Sequence, residues 1–353
     1  MSEAQSLFAV LRQSADADCV SALERLVRDA PDRRLARINV LDFAQREGLD
    51  EERAIATFLQ AGQIGLLDMS WNVLCPSCSG VLDANTSLKS VRSGEYYCAF
   101  CNLNNEPALD DMVEVSFTVN PRVRRIAAHS PDQLPLWEYY RQVFWGRGVD
   151  LPEDGLEAAM QQVTLDAVEL PAGEKAFLSL QLPGGFVIVL EPVTHAAQFI
   201  NVAGEPTQER QNLTLVYNNL RAPTDEIGLR PGTIRLSLEN RTAMRALPTV
   251  WVVDDKFMAA VGKRRPYLTA KRLLSNQTFR EIYRTDTLDV DQRLKITSLT
   301  FLFTDLKGST ELYERVGDLV AFDLVREHFR TLNEIVAAEG GAVVKTIGDA
   351  VMA

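Results

Sequence analysis

The chain has 353 residues, 46% of them apolar, and a formal net charge of −11. That length and apolar content allow two to four domains with cores of their own, and the acidic balance argues against nucleic acid or an anionic membrane surface as a general partner. No apolar run approaches the ~20 residues of a membrane helix, the longest being of the Phe186–Leu190 type, and the start MSEAQSLFAVLRQ lacks the basic and apolar regions of a signal peptide, so a cytoplasmic protein is expected.

Residues 1–70 read as helical. Val20, Leu23, Leu26 and Val27 form one amphipathic face; Val40-Leu41 with Phe43-Ala44, and Ala54-Ile55 with Phe58-Leu59, form two more. Asp50 is placed to cap the helix that opens at Glu51. The segment from Asn39 to Leu74 resembles a helix-turn-helix followed by a winged hairpin, which would suggest DNA. Yet residues 1–70 hold 8 Lys/Arg against 12 Asp/Glu, the wrong sign for a phosphate-dominated contact. DNA binding is therefore not expected, and a protein-contact or packing role is.

Residues 71–110 carry Cys75-x2-Cys78, then nineteen residues, then Cys98-x2-Cys101. Two such knuckles can close a tetrahedral four-thiolate site, the pattern of a zinc ribbon. With all four positions filled by Cys, no open site remains for chemistry, so a structural Zn2+ is expected. A redox pair is the weaker alternative, because it would need one CxxC only. Tyr96, Tyr97 and Phe100 should pack around the second knuckle, and Cys19 reads as a small core residue.

Residues 111–160 connect. Val113–Val119 reads as a strand, the arginines at 122, 124 and 125 as a solvated edge, and Leu136, Trp137, Tyr140, Val143, Phe144 and Trp145 as the core face of an aromatic helix. From 161 to 255 the pattern turns all-β. Seven strands are expected: Val163–Leu170, Ala176–Leu182, Phe186–Glu191, His195–Val202, Leu213–Tyr217, Thr233–Leu238 and Thr249–Val253. Pro171-Ala-Gly, Pro183-Gly-Gly, Asn218-Asn219 and Pro231-Gly232 mark turns between them. The spacing suggests a β-sandwich of immunoglobulin-like type serving as a sensor or interaction module. His195 reads as structural. Residues 256–298 read as a helical linker, with Leu268, Leu273, Leu274, Phe279, Ile282 and Tyr283 apolar and Thr285–Arg293 an exposed joint.

Residues 299–353 carry the chemistry. An apolar strand, Leu299–Thr304, ends on Asp305; Leu306, Lys307, Gly308, Ser309 and Thr310 lead into a short helix broken at Gly317, then a longer one over about 319–338. Phe322, Val325, Phe329, Leu332, Ile335 and Val336 mark the apolar face of that longer helix. Two short strands flank Gly348-Asp349, a dipeptide suited to a tight hairpin. The order β-α-α-β-β predicts a split arrangement in which the last strand pairs between the first two. Asp305 and Asp349 would then meet at one sheet edge. Adjacent carboxylates stay ionised cheaply only around a cation, and Mg2+ is the natural one. The backbone amides of 306–310, at a helix start, suit a polyphosphate.

The blocks FTDLKGST and KTIGDAVMA resemble the start of the catalytic domain of class III adenylyl cyclases. The resemblance implies that Asp305 and Asp349 hold two Mg2+ (or Mn2+) ions, that the backbone of 306–310 wraps the phosphates of ATP, and that Lys345 contacts adenine where guanylyl cyclases usually carry Glu. It implies a ferredoxin-like domain, an active site formed between two such domains in a homodimer, and ATP converted to cyclic AMP and pyrophosphate. The family's second adenine-specifying residue and its transition-state Asn and Arg fall later in the domain and are not among these 55 residues. This chain alone is therefore expected to make no cyclic AMP. The full expectation is a multidomain α+β chain: winged-helix-like N-terminus, zinc ribbon, β-sandwich, helical transducer and truncated cyclase domain. The first part regulates through an unknown ligand or protein. The rival readings are a non-catalytic regulatory fragment of a cyclase and a zinc-ribbon nucleic-acid-binding regulator.

Overall fold

The computed structural model describes residues 3–92, 94–218, 224–283, 295–296 and 298–353. Four helices open the chain: α1 (Glu3–Leu11), α2 (Ala17–Asp29), α3 (Val40–Glu47) and α4 (Glu51–Gln63). Asp50 caps α4 by accepting a hydrogen bond from the Arg53 amide at 3.0 Å. The three apolar faces read from the sequence are buried.

The next strands are β1 (Leu67–Leu74), β2 (Val81–Asn85), β3 (Tyr96–Cys98), β4 (Leu103–Asn105) and β5 (Val113–Val119). β1 is no free wing. It is the central strand of an antiparallel sheet ordered β2-β1-β5, its register with β5 running from Leu67↔Val119 to Val73↔Val113. The boundary expected at residue 70 thus falls inside β1. A single apolar core runs from Phe8 through α2–α4, both β1 and β5, and on to Phe279. The reason is that α4 cannot bury Phe58 and Leu59 against helices alone; β1 and β5 close that face. On α4 only Glu51, Arg53 and Gln63 stay exposed, so the helix offers little surface to a DNA groove.

Helix α5 (Leu136–Tyr139) continues as a π-turn over Tyr140–Phe144, and α6 (Leu156–Gln161) leads into eight strands. These are β6 (Thr164–Ala167), β7 (Lys175–Leu182), β8 (Gly185–Glu191), β9 (Ala196–Val202), β10 (Thr207–Tyr217), β11 (Ile227–Leu229), β12 (Gly232–Asn240) and β13 (Thr249–Val252). They form two sheets, β10-β12-β7 and β11-β9-β8-β13-β6, that share one apolar core. Along β12, Ile234, Leu236 and Leu238 point into it while Thr233, Arg235 and Ser237 face out or to the rim, the period-2 pattern of a half-buried strand. Seven strands lie on expected positions; β11 is additional. Both sheets are mixed, because β10 runs parallel to β12 and β9 parallel to β11. The chain alternates between sheets from β9 to β12 and so returns parallel instead of through hairpins. His195 precedes β9 in a left-handed conformation (φ 57) with its ring 5.8 Å from Phe144. Residue 219 of the expected Asn218-Asn219 turn lies outside the described residues.

A second core packs against the first. Tyr140, Phe144, Trp145, Trp251 and Phe257 are buried together, with Tyr140 and Trp251 rings 5.0 Å apart, so the aromatic face is core. Helices α7 (Asp255–Val261), α8 (Ala270–Leu274) and α9 (Gln277–Ile282) follow. The last two do not stand apart as a linker: Leu268, Leu273 and Phe279 complete the first core, with Phe279 5.8 Å from Trp71. The expected joint at Thr285–Arg293 lies outside the described residues. Among the described residues no helix is long and apolar enough to cross a membrane.

The final segment has β14 (Phe303–Thr304), α10 (Ser309–Val316), α11 (Asp318–Ala338), β15 (Lys345–Ile347) and β16 (Ala350–Met352), ordered β14-β16-β15. β16 is antiparallel to both neighbours, so β14 and β15 run parallel with β16 between them, as the element order predicts. The first strand is shorter than expected, its ladder extended only by the paired Leu302–Ala353 bonds at 2.9 Å. On α11 the buried row is Ala321 and Val325; Phe322 and Ile335, expected inside, are 57% and 53% exposed. A sheet of three short strands is too narrow to cover the whole apolar stripe of a 21-residue helix.

Candidate functional site

Cys75 follows β1 directly, and its amide donates to the Gly80 carbonyl at 2.8 Å while its own carbonyl accepts from Ser79 at 2.8 Å. That tight turn swings Cys78 back over Cys75. The second knuckle repeats the device: Cys98 ends β3, pairs with Leu103 of β4, and Cys101 sits in the turn between them. In both knuckles the residue after the second cysteine, Ser79 or Asn102, adopts a left-handed φ of 59° or 53°. The four Sγ atoms lie within 4.8 Å of one another, with Cys75–Cys101 and Cys78–Cys98 each at 3.7 Å.

These distances discriminate between chemistries. A disulfide needs about 2.05 Å, so the sulfurs are unbonded. A tetrahedral site with metal–sulfur bonds of about 2.3 Å requires sulfurs about 3.8 Å apart, which the 3.7 Å pairs meet. Without a cation the cluster is electrostatically frustrated. Hydrogen bonds from Cys101, Cys78 and Cys98 hold the Cys75 thiol far below its ordinary value, while bonding to Cys101 and Cys75 pushes Cys78 and Cys98 up. One thiolate is thus favoured at its neighbours' expense, and a divalent ion would relieve the conflict by accepting all four. Cys75, Cys78, Cys98 and Cys101 fit a bound metal.

The centre is wedged between the two cores. The Ser79 carbonyl accepts from the Gly146 amide at 2.8 Å, and Gly80 bridges to Trp145. Phe100, inside the second knuckle, stacks on Phe257 at 5.9 Å and meets Trp251 edge-on at 6.3 Å. Tyr97 donates to Asn102 at 2.8 Å, and Tyr96 is buried. The aromatics around the knuckle serve as expected, and Phe100 also keys the ribbon to the β-rich body.

The second candidate lies at the end of the β14-β16-β15 sheet. Thr304 pairs with Val351, so the next register step places Asp305 opposite Ala350, one residue from Asp349. Both aspartates therefore leave the sheet at the same end, Asp349 half-buried and Asp305 exposed. Gly348 holds φ 64 at the first position of the hairpin turn closed by Ile347↔Ala350, a conformation costly for other residues. Gly308, at φ 77, turns the chain from Leu306 and Lys307 into α10, whose N-terminus at Ser309 and Thr310 has no side-chain cap. The amides there remain directed at whatever lies before the helix. Lys345 pairs with Met352, two register steps back from the Ile347↔Ala350 pair that closes the turn holding Asp349. The register brings the aspartates and the 306–310 turn to one sheet end, with Lys345 two pairs back along the hairpin.

The C-terminal segment, residues 292–353, matches the adenylate and guanylate cyclase catalytic domain. This defines the class of the second site, a nucleotide cyclase catalytic segment. Residues 1–281 match a family of unknown function (DUF5939), and the chain belongs to that family. No curated protein and no solved structure matches the chain.

Proposed function

We propose that the protein is an adenylate cyclase of class III, acting in the cytoplasm to convert ATP to cyclic AMP and pyrophosphate under control of its first 281 residues. What supports this reading is that Asp305 and Asp349 of the matched segment leave neighbouring strands at one sheet end, beside a glycine-turned helix N-terminus. In it, Asp305 and Asp349 hold two divalent ions, Mg2+ or Mn2+, and the backbone of 306–310 cradles the phosphates. The ions, when bound, favour the ionised 3′-hydroxyl and neutralise the leaving polyphosphate. Lys345 reads adenine in the site formed with a second copy in a homodimer. Zn2+ at the four cysteines is structural, tying the helical body to the β-rich body. Residues 1–70, 71–110, 111–160 and 161–255 act as one regulatory assembly and 256–298 as the transducer.

The test is made in a protein whose catalytic domain includes the transition-state residues. Asp305→Ala and Asp349→Ala should each lower cyclic AMP formation by about 10²-fold or more, since charge stabilisation carries most of such a reaction. Lys345→Glu should lower the preference for ATP over GTP while leaving Mn2+-induced broadening of Gly348 and Ala350 amide signals intact. Full activity after loss of either aspartate overturns the proposal.

A further inference from the structure

Between the first core and the aromatic core lies a cavity of about 110 Å³ with an unusual lining. Arg33 and Arg34 come from the turn after α2, Arg37 from the segment that follows, and Arg46 from α3. Arg141 comes from the π-turn, and Arg147 and Arg265 from the loops facing it. Only two acids, Asp42 and Glu153, share that lining.

The ion pairs leave a surplus. Arg46 engages both Asp42 and Glu153, Arg265 engages Asp42 at 2.8 Å and also Asp150, and Arg33 engages Asp154 at 2.6 Å. Arg141 reaches Glu138 only at 3.5 Å and donates to the Pro152 carbonyl. Arg37 and Arg147 have no carboxylate within ion-pair distance among the described residues. Their guanidinium groups donate to the Trp145 and Ala36 carbonyls, and the carboxylate of buried Glu114 is taken by the Arg147 backbone amide at 2.9 Å. The Nε atoms of Arg37 and Arg147 are buried with no hydrogen-bond partner, whereas that of Arg141 faces Glu138. A buried charged donor left open is costly, and two beside one arginine-lined cavity call for an acceptor.

Two further observations agree. Arg37 is held at φ 45, a conformation that a non-glycine residue keeps only when its surroundings impose it, as at ligand clamps. The Arg147 guanidinium is pushed down to about 9 by burial and by Arg37, with the buried Glu114 carboxyl opposing the shift.

We propose that this cavity binds a phosphate-class oxyanion, either the free ion or the phosphoryl end of a small metabolite, through the guanidinium groups of Arg37, Arg141 and Arg147 that line it. Planar guanidinium forks suit such oxygens better than ammonium groups do. The ligand would draw together elements of two cores, because Arg37 belongs to the helical body and Arg141 and Arg147 to the aromatic one. It would also engage the segment through Arg265, whose neighbour Pro266 accepts from Asn39 at 2.7 Å and which leads into α8 and α9. Gln277 of α9 in turn accepts from the Val343 amide at 3.0 Å, which joins that helix to the C-terminal segment.

The experiment is a thermal-shift titration of the whole chain with sodium phosphate against sodium chloride of equal ionic strength, repeated with glycerol 3-phosphate. Saturable stabilisation by phosphate is expected. Arg37→Gln and Arg147→Gln should weaken the apparent Kd by about tenfold or more, as loss of a charged hydrogen bond does. Arg34→Gln, also at the cavity wall, should weaken it severalfold and decides the matter if the Arg37 and Arg147 variants do not fold. Lys175→Gln, on the far β-sheet, should leave it unchanged. Tighter binding of glycerol 3-phosphate identifies an organic phosphate as the ligand; equal binding identifies the free ion. No saturation beyond the chloride control, or an unchanged Kd in the folded arginine variants, overturns the proposal.

Discussion

Cys19 and the four clustered cysteines show how burial sets the fate of one residue type. Cys19 is buried on α2, and desolvation, helped by the Asp16 side chain, pushes its thiol up to about 11 from an ordinary 9.0. It should stay protonated and unreactive at neutral pH. Because the folded value is the raised one, its contribution to stability is complete below about pH 9 and is lost as pH rises through about 11. Alkaline unfolding followed by circular dichroism should therefore begin earlier in wild type than in Cys19→Ala. In native protein near pH 7, iodoacetamide should leave Cys19 unlabelled while it labels Cys19 in urea; fast native labelling would contradict the burial argument. The aspartates lie in the opposite setting, Asp305 exposed and Asp349 half-buried.

Among elements, the knuckle turn that carries Phe100 does more than present cysteines. Its ring fills a slot between Phe144, Trp251 and Phe257, so the metal module and the β-rich body share one aromatic contact. Phe100→Ala should destabilise the protein by about 3 kcal/mol, the low end for emptying an aromatic site, because the ring is only partly buried. The urea midpoint of unfolding reads this loss. The metal should remain bound, since no thiolate is touched; loss of metal together with stability would mean that Phe100 shapes the knuckle itself. The β15–β16 hairpin depends on one residue in the same way. Gly348→Val should strain a turn at φ 64 and move Asp349 off the sheet end, read as loss of Mn2+ broadening at Ala350.

At the scale of the whole molecule, the metal centre, the aromatic slot and the arginine-lined cavity all lie between the helical and β-rich bodies, so the contact between them is where control can act. One zinc per chain is expected by elemental analysis. Cys98→Ser should release it and open the module to protease, because four thiolates in a small loop-rich unit fold with their ion. Absence of metal, with all four thiols titrating in folded protein, would exclude the site.

What the sequence determined by itself was whatever obeys a short-range rule. The paired CxxC spacing announced four sulfurs before any coordinates existed. Helical spacing found α2, α3 and α4, Asp50 found its cap, and Gly348-Asp349 found its hairpin, because each follows from a few bonds of backbone geometry. The order β14-β16-β15 was legible because handed crossovers leave few alternatives for β-α-α-β-β. Only the tertiary structure decided the rest. β1 became a central strand because helices alone cannot cover Phe58; β10 and β12 run parallel because the chain switches sheets between them; and Phe322 and Ile335 stay outside because three short strands cannot cover α11. Seven arginines between residues 33 and 265 share one cavity with no period or motif to announce it, since their meeting is fixed by how two cores pack, and packing depends on shape summed over the whole chain.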